Sequence, residues 1–275
     1  MNQNVFDLLD EMVDEGYFGE NARALKSNRD NMEYKEHAKE FLNPLIEYDD
    51  IQDIGRRLTC RVIITLHYFH VKAIMNDSDK LFDCLKIYLL DKGGLAANSE
   101  IIIDKGLLDK KIQNNSGKIL NNIEKRELSN NYIQFYEKCT ETCNKNLGNL
   151  IDVINIYDKV ELKQSSDRAT LNSKIIALKK YNNGLSGLTD LIDRQLRNCI
   201  AHNNIRYNTT TMLFESITDS RLKVKLEDML MNKIPSILML NRGFISSIFL
   251  IMLAYYSKDE YIEYYEKIKS IANCN

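Results

Sequence analysis

Apolar residues along this chain recur every three or four positions, and that spacing predicts helices nearly from end to end. In the first half it marks residues 3–15 (Val5, Leu8, Leu9, Met12, Val13), 31–48 with an interruption near Pro44, and 51–75. A further helix over 78–91 is capped by Ser78 and stopped by Lys92-Gly93-Gly94. Residues 92–118 read as turns, because Gly93, Gly94, Gly106, Asn114, Asn115 and Gly117 surround a single apolar piece, Ile101-Ile102-Ile103. Residues 117–160 read as one long helix or two shorter ones, with Gly148 or the polar stretch 140–145 as the point of division. Gln164-Ser165-Ser166-Asp167 is a loop and an N-cap for a helix over 168–181, and Asn182-Asn183-Gly184 is a turn. From Leu185 to His202 the apolar positions 188, 191, 192, 196, 199 and 200 fall on one side of a helix. Ile205-Arg206-Tyr207 and Met212-Leu213-Phe214, split by Asn208–Thr211, read as a small β-hairpin near 205–214. Helices follow at 219–232, at 233–256 with Pro235 in the first turn, and through Tyr261–Ile271. The expected class is all-α, divided into an N-terminal helical region, 1–115, and a helical domain, 116–275, or forming one continuous domain.

Composition adds little to that picture and removes several alternatives. With 275 residues, 44% hydrophobic and 28% charged, the chain is long enough for one large core or two smaller ones. The longest apolar run, Gly243–Tyr256, is about 14 residues against the ~20 of a spanning helix, so it predicts a buried core helix. That points to a cytoplasmic protein with no membrane partner. Six scattered cysteines and no leader pattern argue against a disulfide framework. Cys139 and Cys143 stand one helical turn apart without a second ligand pair at zinc spacing, which predicts buried thiols and no metal. Phosphate-binding glycine loops, the zinc-protease H-E-x-x-H and the G-x-S-x-G elbow are all absent. Net charge is −2, but Lys174 to Tyr207 carries six bases (Lys174, Lys179, Lys180, Arg194, Arg197, Arg206) against Asp190 and Asp193. Such a local excess steers anions.

The end of the 185–202 helix carries the candidate chemistry. Arg197 lies opposite the apolar stripe, on a side that faces solvent or another subunit. Asn198 and His202, four residues apart, stack one turn above the other on the flank, His202 in the last turn. Arg61 and His67 form a looser pair of the same kind, but their surroundings are apolar and no polar residue follows Arg61. His67 and His70 are therefore expected in the core or on a helix flank.

Arg197-Asn198-x-x-x-His202 resembles the R-polar-x-x-x-H motif of the HEPN superfamily, all-helical domains that include many metal-independent ribonucleases of toxin–antitoxin, abortive-infection and CRISPR-linked defence systems. The resemblance implies a HEPN-like helical bundle and an endoribonuclease with Arg197, Asn198 and His202 as catalytic residues and no cofactor. Histidine suits proton transfer because its ordinary pKa lies near ~6.5. Arginine stays cationic and forks onto phosphate oxygens. Asn198 would orient the imidazole or donate to the phosphate. Arg194, Arg206, Lys179 and Lys180 become the expected RNA-binding residues. The implied products are a 2′,3′-cyclic phosphate and a 5′-hydroxyl. The implied partners are RNA, a second copy forming a composite site, and an antitoxin or other defence-system protein. One branch of the superfamily continues the motif as His-x-Tyr for modification by its antitoxin; Asn204 stands at that tyrosine position here, which puts this form of control in doubt. Two alternatives stay open at this point: a non-catalytic HEPN-fold or other helical protein that binds nucleic acid or a partner, and an unrelated helical interaction protein.

Overall fold

The structure, a computed structural model, describes residues 39, 42–47, 53–158, 162, 168–219 and 221–273. The helix expected over 3–15 lies outside them. Eight helices can be labelled: α1 Ile54–Lys86, α2 Gly94–Asn115, α3 Asn122–Asp158, α4 Leu171–Tyr181, α5 Ser186–Thr189, α6 Arg194–Ala201, α7 Ile234–Tyr256 and α8 Lys258–Asn273. Between α6 and α7 stands one antiparallel sheet, β1 Ile205–Asn208, β2 Leu213–Ser216 and β3 Lys223–Lys225, in that order. The class is all-α with a small sheet.

Three long helices, α1, α3 and α7, make the body, with α8 laid on α1 and α2 on α3. Close approach of α7 to α1 depends on Gly243. A Cβ there would stand 2.4 Å from Val62 Cγ1, so no larger residue fits without moving the pair apart. The apolar cluster runs through the chain on both sides of residue 115, from Cys60 and Leu66 to Phe244 and Ile268. Inside it lies a chain of amides. Asn146 accepts from Tyr88 Oη and from Asn98 Nδ2 (3.3 Å), and donates to Asn241 Oδ1 (2.9 Å). Asn241 in turn donates to the Cys139 carbonyl at 3.0 Å. These bonds tie α2, α3, α7 and the turn Ile87–Asp91 that follows α1 together, in a setting where an unmade hydrogen bond would cost ~1–3 kcal/mol.

Several expectations need correction. Residues 94–115 are a helix, not turns: Leu95, Asn98, Ile101 and Leu108 keep helical spacing and bury one side against α3. Gly94 is there because Tyr88 needs the room; a Cβ would meet its ring at 2.5 Å. Residues 122–158 form one helix, and the polar 140–145 stretch and Gly148 do not divide it. Thr142 and Asn146 are buried and bonded, Thr142 to the Lys138 carbonyl and Asn146 to the amide chain, while Glu141 and Lys145 reach the exposed side. Asp77, not Ser78, caps the second part of α1, accepting from the Lys80 amide at 3.1 Å across a kink. Thr170 caps α4. Lys223–Lys225 is a strand: Val224 is buried between two exposed lysines, a period of two that a helix assignment hides. Tyr207, Phe214 and Val224 align across the three strands as one buried row, the first two rings 5.0 Å apart. Leu226–Ala254 is long and apolar enough to cross a bilayer by length and composition, yet 72% of its most apolar window is buried inside the fold.

His67 and His70 are both buried on α1, as expected. His67 Nε2 and Tyr261 Oη of α8 are 2.7 Å apart, and Tyr265 packs on the same ring. Burial pushes His67 from the ordinary 6.5 down to about 4 and His70 to about 3, with His67 adding to the second shift. The unfolded chain therefore takes up protons that the folded chain refuses. Their contribution is complete above the ordinary histidine pKa and is lost as pH falls from there through about 4 and about 3. We expect unfolding free energy to drop between about pH 6.5 and pH 4, by up to about 1.4 kcal/mol per pH unit for each histidine. Denaturant titrations read this slope, and His70→Leu should remove one histidine's share. An unchanged slope in that variant contradicts the assignment.

Candidate functional site

Residues 185–202 do not form the single helix that their periodicity suggests. Asn183–Leu185 make a 3-10 turn, α5 stops at Thr189, and the chain restarts as α6 after Asp193. The break belongs to Asp193. Its backbone is extended (φ −74°, ψ 97°), and its carboxylate accepts from the Leu196 amide at 2.9 Å, so the side chain starts a new helix instead of riding inside an old one. The second carboxylate oxygen meets Lys233 Nζ at 2.8 Å, and the Asp193 amide donates to Tyr136 Oη at 3.2 Å. One residue thus fixes α6 to α3 and to the wide turn Met229–Lys233 that leads into α7. Partial burial works against the Lys233 charge, but Asp193 and then Asp228 outweigh it and hold the ammonium above the ordinary lysine value.

The other end of α6 is closed as firmly. His202 is the C-cap, just beyond the last turn in which the sequence puts it. Asn203 is left-handed (φ 52°), its amide bonds the Ile200 carbonyl at 2.9 Å, and the Asn204 amide bonds the Cys199 carbonyl at 2.8 Å. This is a Schellman closure with asparagine where glycine is usual. The Asn204 carbonyl then accepts from the Ile217 amide (2.8 Å), so the cap is joined to the end of β2.

Arg197 does not face away from the fold. Glu141 of α3 holds its Oε1 3.5 Å from the guanidinium, and the side chain is 20% exposed, with Nε buried and without a hydrogen-bond partner. A helix of only eight residues lying on the 37-residue α3 meets it along a flank as well as along its apolar stripe. Asn198 is exposed and accepts from Arg197 Nη1 at 3.4 Å; the bond binds asparagine to arginine and leaves the imidazole unoriented by it. His202 is exposed, with no side-chain hydrogen bond among the described residues.

The six bases do not make an open cationic patch. Lys174 is 1% exposed and donates to the Asn144 carbonyl at 2.9 Å. Lys179 pairs with Asp190, Arg197 with Glu141, and Arg206 with Glu215 at 3.8 Å. Among the expected RNA-binding residues, Lys180 and Arg194 are exposed and without an ion pair among the described residues. A cavity of about 350 Å³ opens at the front of α6, lined by Thr189–Arg194, Asn232, Lys233 and Ser236. Arg194 reaches it; Arg197, Asn198 and His202 do not line it. Cys139 and Cys143 are buried thiols, and desolvation pushes Cys139 up to about 12 and raises Cys143 as well. No three histidine, cysteine or acidic side chains converge as a metal set among the described residues. No family model, curated protein or solved structure matches the chain. Its chemistry therefore has to be argued from its own residues.

What this arrangement offers is an exposed imidazole on a rigid cap and a guanidinium held on the same short helix. Glu141, Asp193, Tyr136 and Lys233, which do the holding, are not found by motif reading. Only Asp193 leaves a local trace, an acid directly before a short amphipathic run; Glu141 stands 56 residues upstream of Arg197. Asp193→Ala should lower stability by roughly 2 kcal/mol, because it removes the cap and leaves Lys233 without its nearest anion. Asp193→Asn keeps an acceptor for the Leu196 amide and should cost less. Thermal unfolding of both variants measures the difference, and an unchanged midpoint in Asp193→Ala contradicts the anchoring role.

Proposed function

We propose that this chain is a metal-independent endoribonuclease of the HEPN type, with Arg197 and His202 as its reacting pair. The observation that carries the reading is their common placement: Arg197 stands on α6 and His202 caps it, and the two ends of that helix are fixed by Asp193 and by the Asn203 closure. In such a site the 2′-hydroxyl must lose its proton, the phosphorane charge must be met, and the 5′-oxygen must gain a proton. His202, exposed and without a side-chain hydrogen bond among the described residues, takes the base or the acid role. Arg197 keeps donors beyond its long Glu141 contact and forks onto the phosphate as negative charge builds. Asn198, beside Arg197, positions the guanidinium and donates to the phosphate from the exposed side.

One copy brings one histidine, whereas the reaction needs both a base and an acid. The composite site of a homodimer supplies the second, with His202 of both copies near a shared two-fold axis. Lys180, Arg194 and Arg206 then act as contacts for the flanking RNA backbone. An antitoxin or other defence-system protein is the expected controlling partner. The half-buried Arg197–Glu141 pair also favours a second reading, in which the arginine is structural and the protein binds nucleic acid or a partner without cleaving.

Cleavage assays decide between them. Arg197→Ala and His202→Ala should each abolish RNA cleavage in the presence of chelator, with thermal midpoints retained, and Asn198→Ala should weaken cleavage less. Mixed dimers of wild type and His202→Ala should keep clearly less than half the activity. Loss of the folded state in Arg197→Ala, with no cleavage by the wild type, supports the structural reading instead.

A further inference from the structure

The antiparallel pair α2–α3 ends in a tip that touches the apolar cluster through the partly buried Ile112 and Leu128. Leu108 is the last buried residue of α2 and Ser129 the first of α3; none of residues 109–128 is buried. Two features of this tip have no role in folding. Ile119 is 101% exposed and Ile123 78%, so neither contributes to a core. Lys110, Lys111, Lys118, Lys125 and Arg126 stand with Asp109, Glu124 and Glu127 between positions 109 and 128, an excess of two bases, and none of the five bases has an ion pair among the described residues. Lys111 bonds only the Asn131 side chain, at 2.9 Å.

The tip is nevertheless built rather than frayed. Asn121 Oδ1 accepts from the Ile123 and Glu124 amides at 2.9 and 3.0 Å, and Glu124 returns a bond to the Asn121 amide at 2.8 Å. This capping box sets Ile123 in the first turn of α3, presented by fixed backbone, with Ile119 in the loop that leads to it. Further back on α2, Ile102, Ile103 and Leu107 are exposed as well. Five of the fourteen exposed large hydrophobic side chains among the described residues thus sit on one helical pair.

We propose that the α2–α3 tip is a contact for an anionic lipid surface, with Ile119 and Ile123 entering the interface and the surrounding bases meeting headgroup phosphates. Three observations select this partner. Aliphatic side chains at full exposure gain from leaving water, which phosphate contacts alone do not use. Residues 109–128 include no aromatic, so a single-stranded nucleic acid would find no ring to stack on. A second copy meeting the tip face to face would set one net-positive surface against another. Such contact needs no spanning segment, and it departs from the membrane-free set of partners that the sequence leads one to expect.

Flotation of the full chain with vesicles provides the test. The wild type should float with vesicles of equal parts phosphatidylcholine and phosphatidylglycerol and stay behind with phosphatidylcholine alone. Lys118→Glu/Lys125→Glu should weaken partitioning by well over about 20-fold, since each basic residue near an anionic surface contributes roughly 5-fold. Ile119→Ser/Ile123→Ser, which keeps every charge, should weaken it by roughly 10-fold or more. All four substitutions are at positions that are not buried, so circular dichroism should be unchanged. Absence of flotation with anionic vesicles overturns the proposal, as does full flotation of the isoleucine variant. RNA binding that is lost in the lysine variant, without vesicle binding by the wild type, assigns the tip to nucleic acid. A change in sedimentation alone assigns it to a second copy; either result rejects the lipid surface.

Discussion

Everything near the candidate site depends on Asp193. Its carboxylate serves two masters at once, the Leu196 amide and the Lys233 ammonium, while its own amide is held by Tyr136. An eight-residue helix has little stability alone, because nucleation costs more than so few bonds return. α6 persists because its first turn is bonded to two long helical elements and its last to the sheet. The polar side chains it carries are therefore displayed by a surface fixed at both ends, which is what chemistry at a phosphate requires of its donors.

The same constraint explains why Arg197 is tucked against Glu141 while His202 stays open. Tyr136 and Glu141 lie five residues apart on α3, and both touch α6, one at its start and one at its middle. α3 thus acts as a straightedge along which the short helix is laid, and a residue on the flank of α6 falls within reach of it. His202 lies past the end of α6, where the left-handed Asn203 turns the chain toward β1. In the proposed reading this divides the labour: a positioned guanidinium for charge, an exposed imidazole for protons.

The helical class, the 205–214 hairpin, the buried fate of His67, His70, Cys139 and Cys143, and the core use of 243–254 were all legible, because each rests on local periodicity or on one-dimensional composition. What was not legible came from contacts between distant residues. Gly94 and Gly106 look like turn signals until Tyr88 and the α3 surface give α2 a reason to be helical. The period that seems continuous from Leu185 to His202 hides a cap, since Asp193 is just another polar position until Lys233 and Tyr136 are placed beside it. The basic excess of 174–207 looked like a patch because its partners, Glu141, Asn144 and Glu215, lie outside that segment or across a strand pair. Lys110, Lys111 and Lys118 of the α2–α3 tip, also without an ion pair among the described residues, stand in a stretch that reads as turns.

The central claim, that His202 and Arg197 perform transesterification on RNA, is tested most directly by the chemistry of the ends. A defined RNA incubated with the purified protein in chelator should yield fragments whose masses and enzymatic labelling show 2′,3′-cyclic phosphate on one side and 5′-hydroxyl on the other. Fragments ending in 3′-hydroxyl and 5′-phosphate, or cleavage that chelator abolishes, would contradict it.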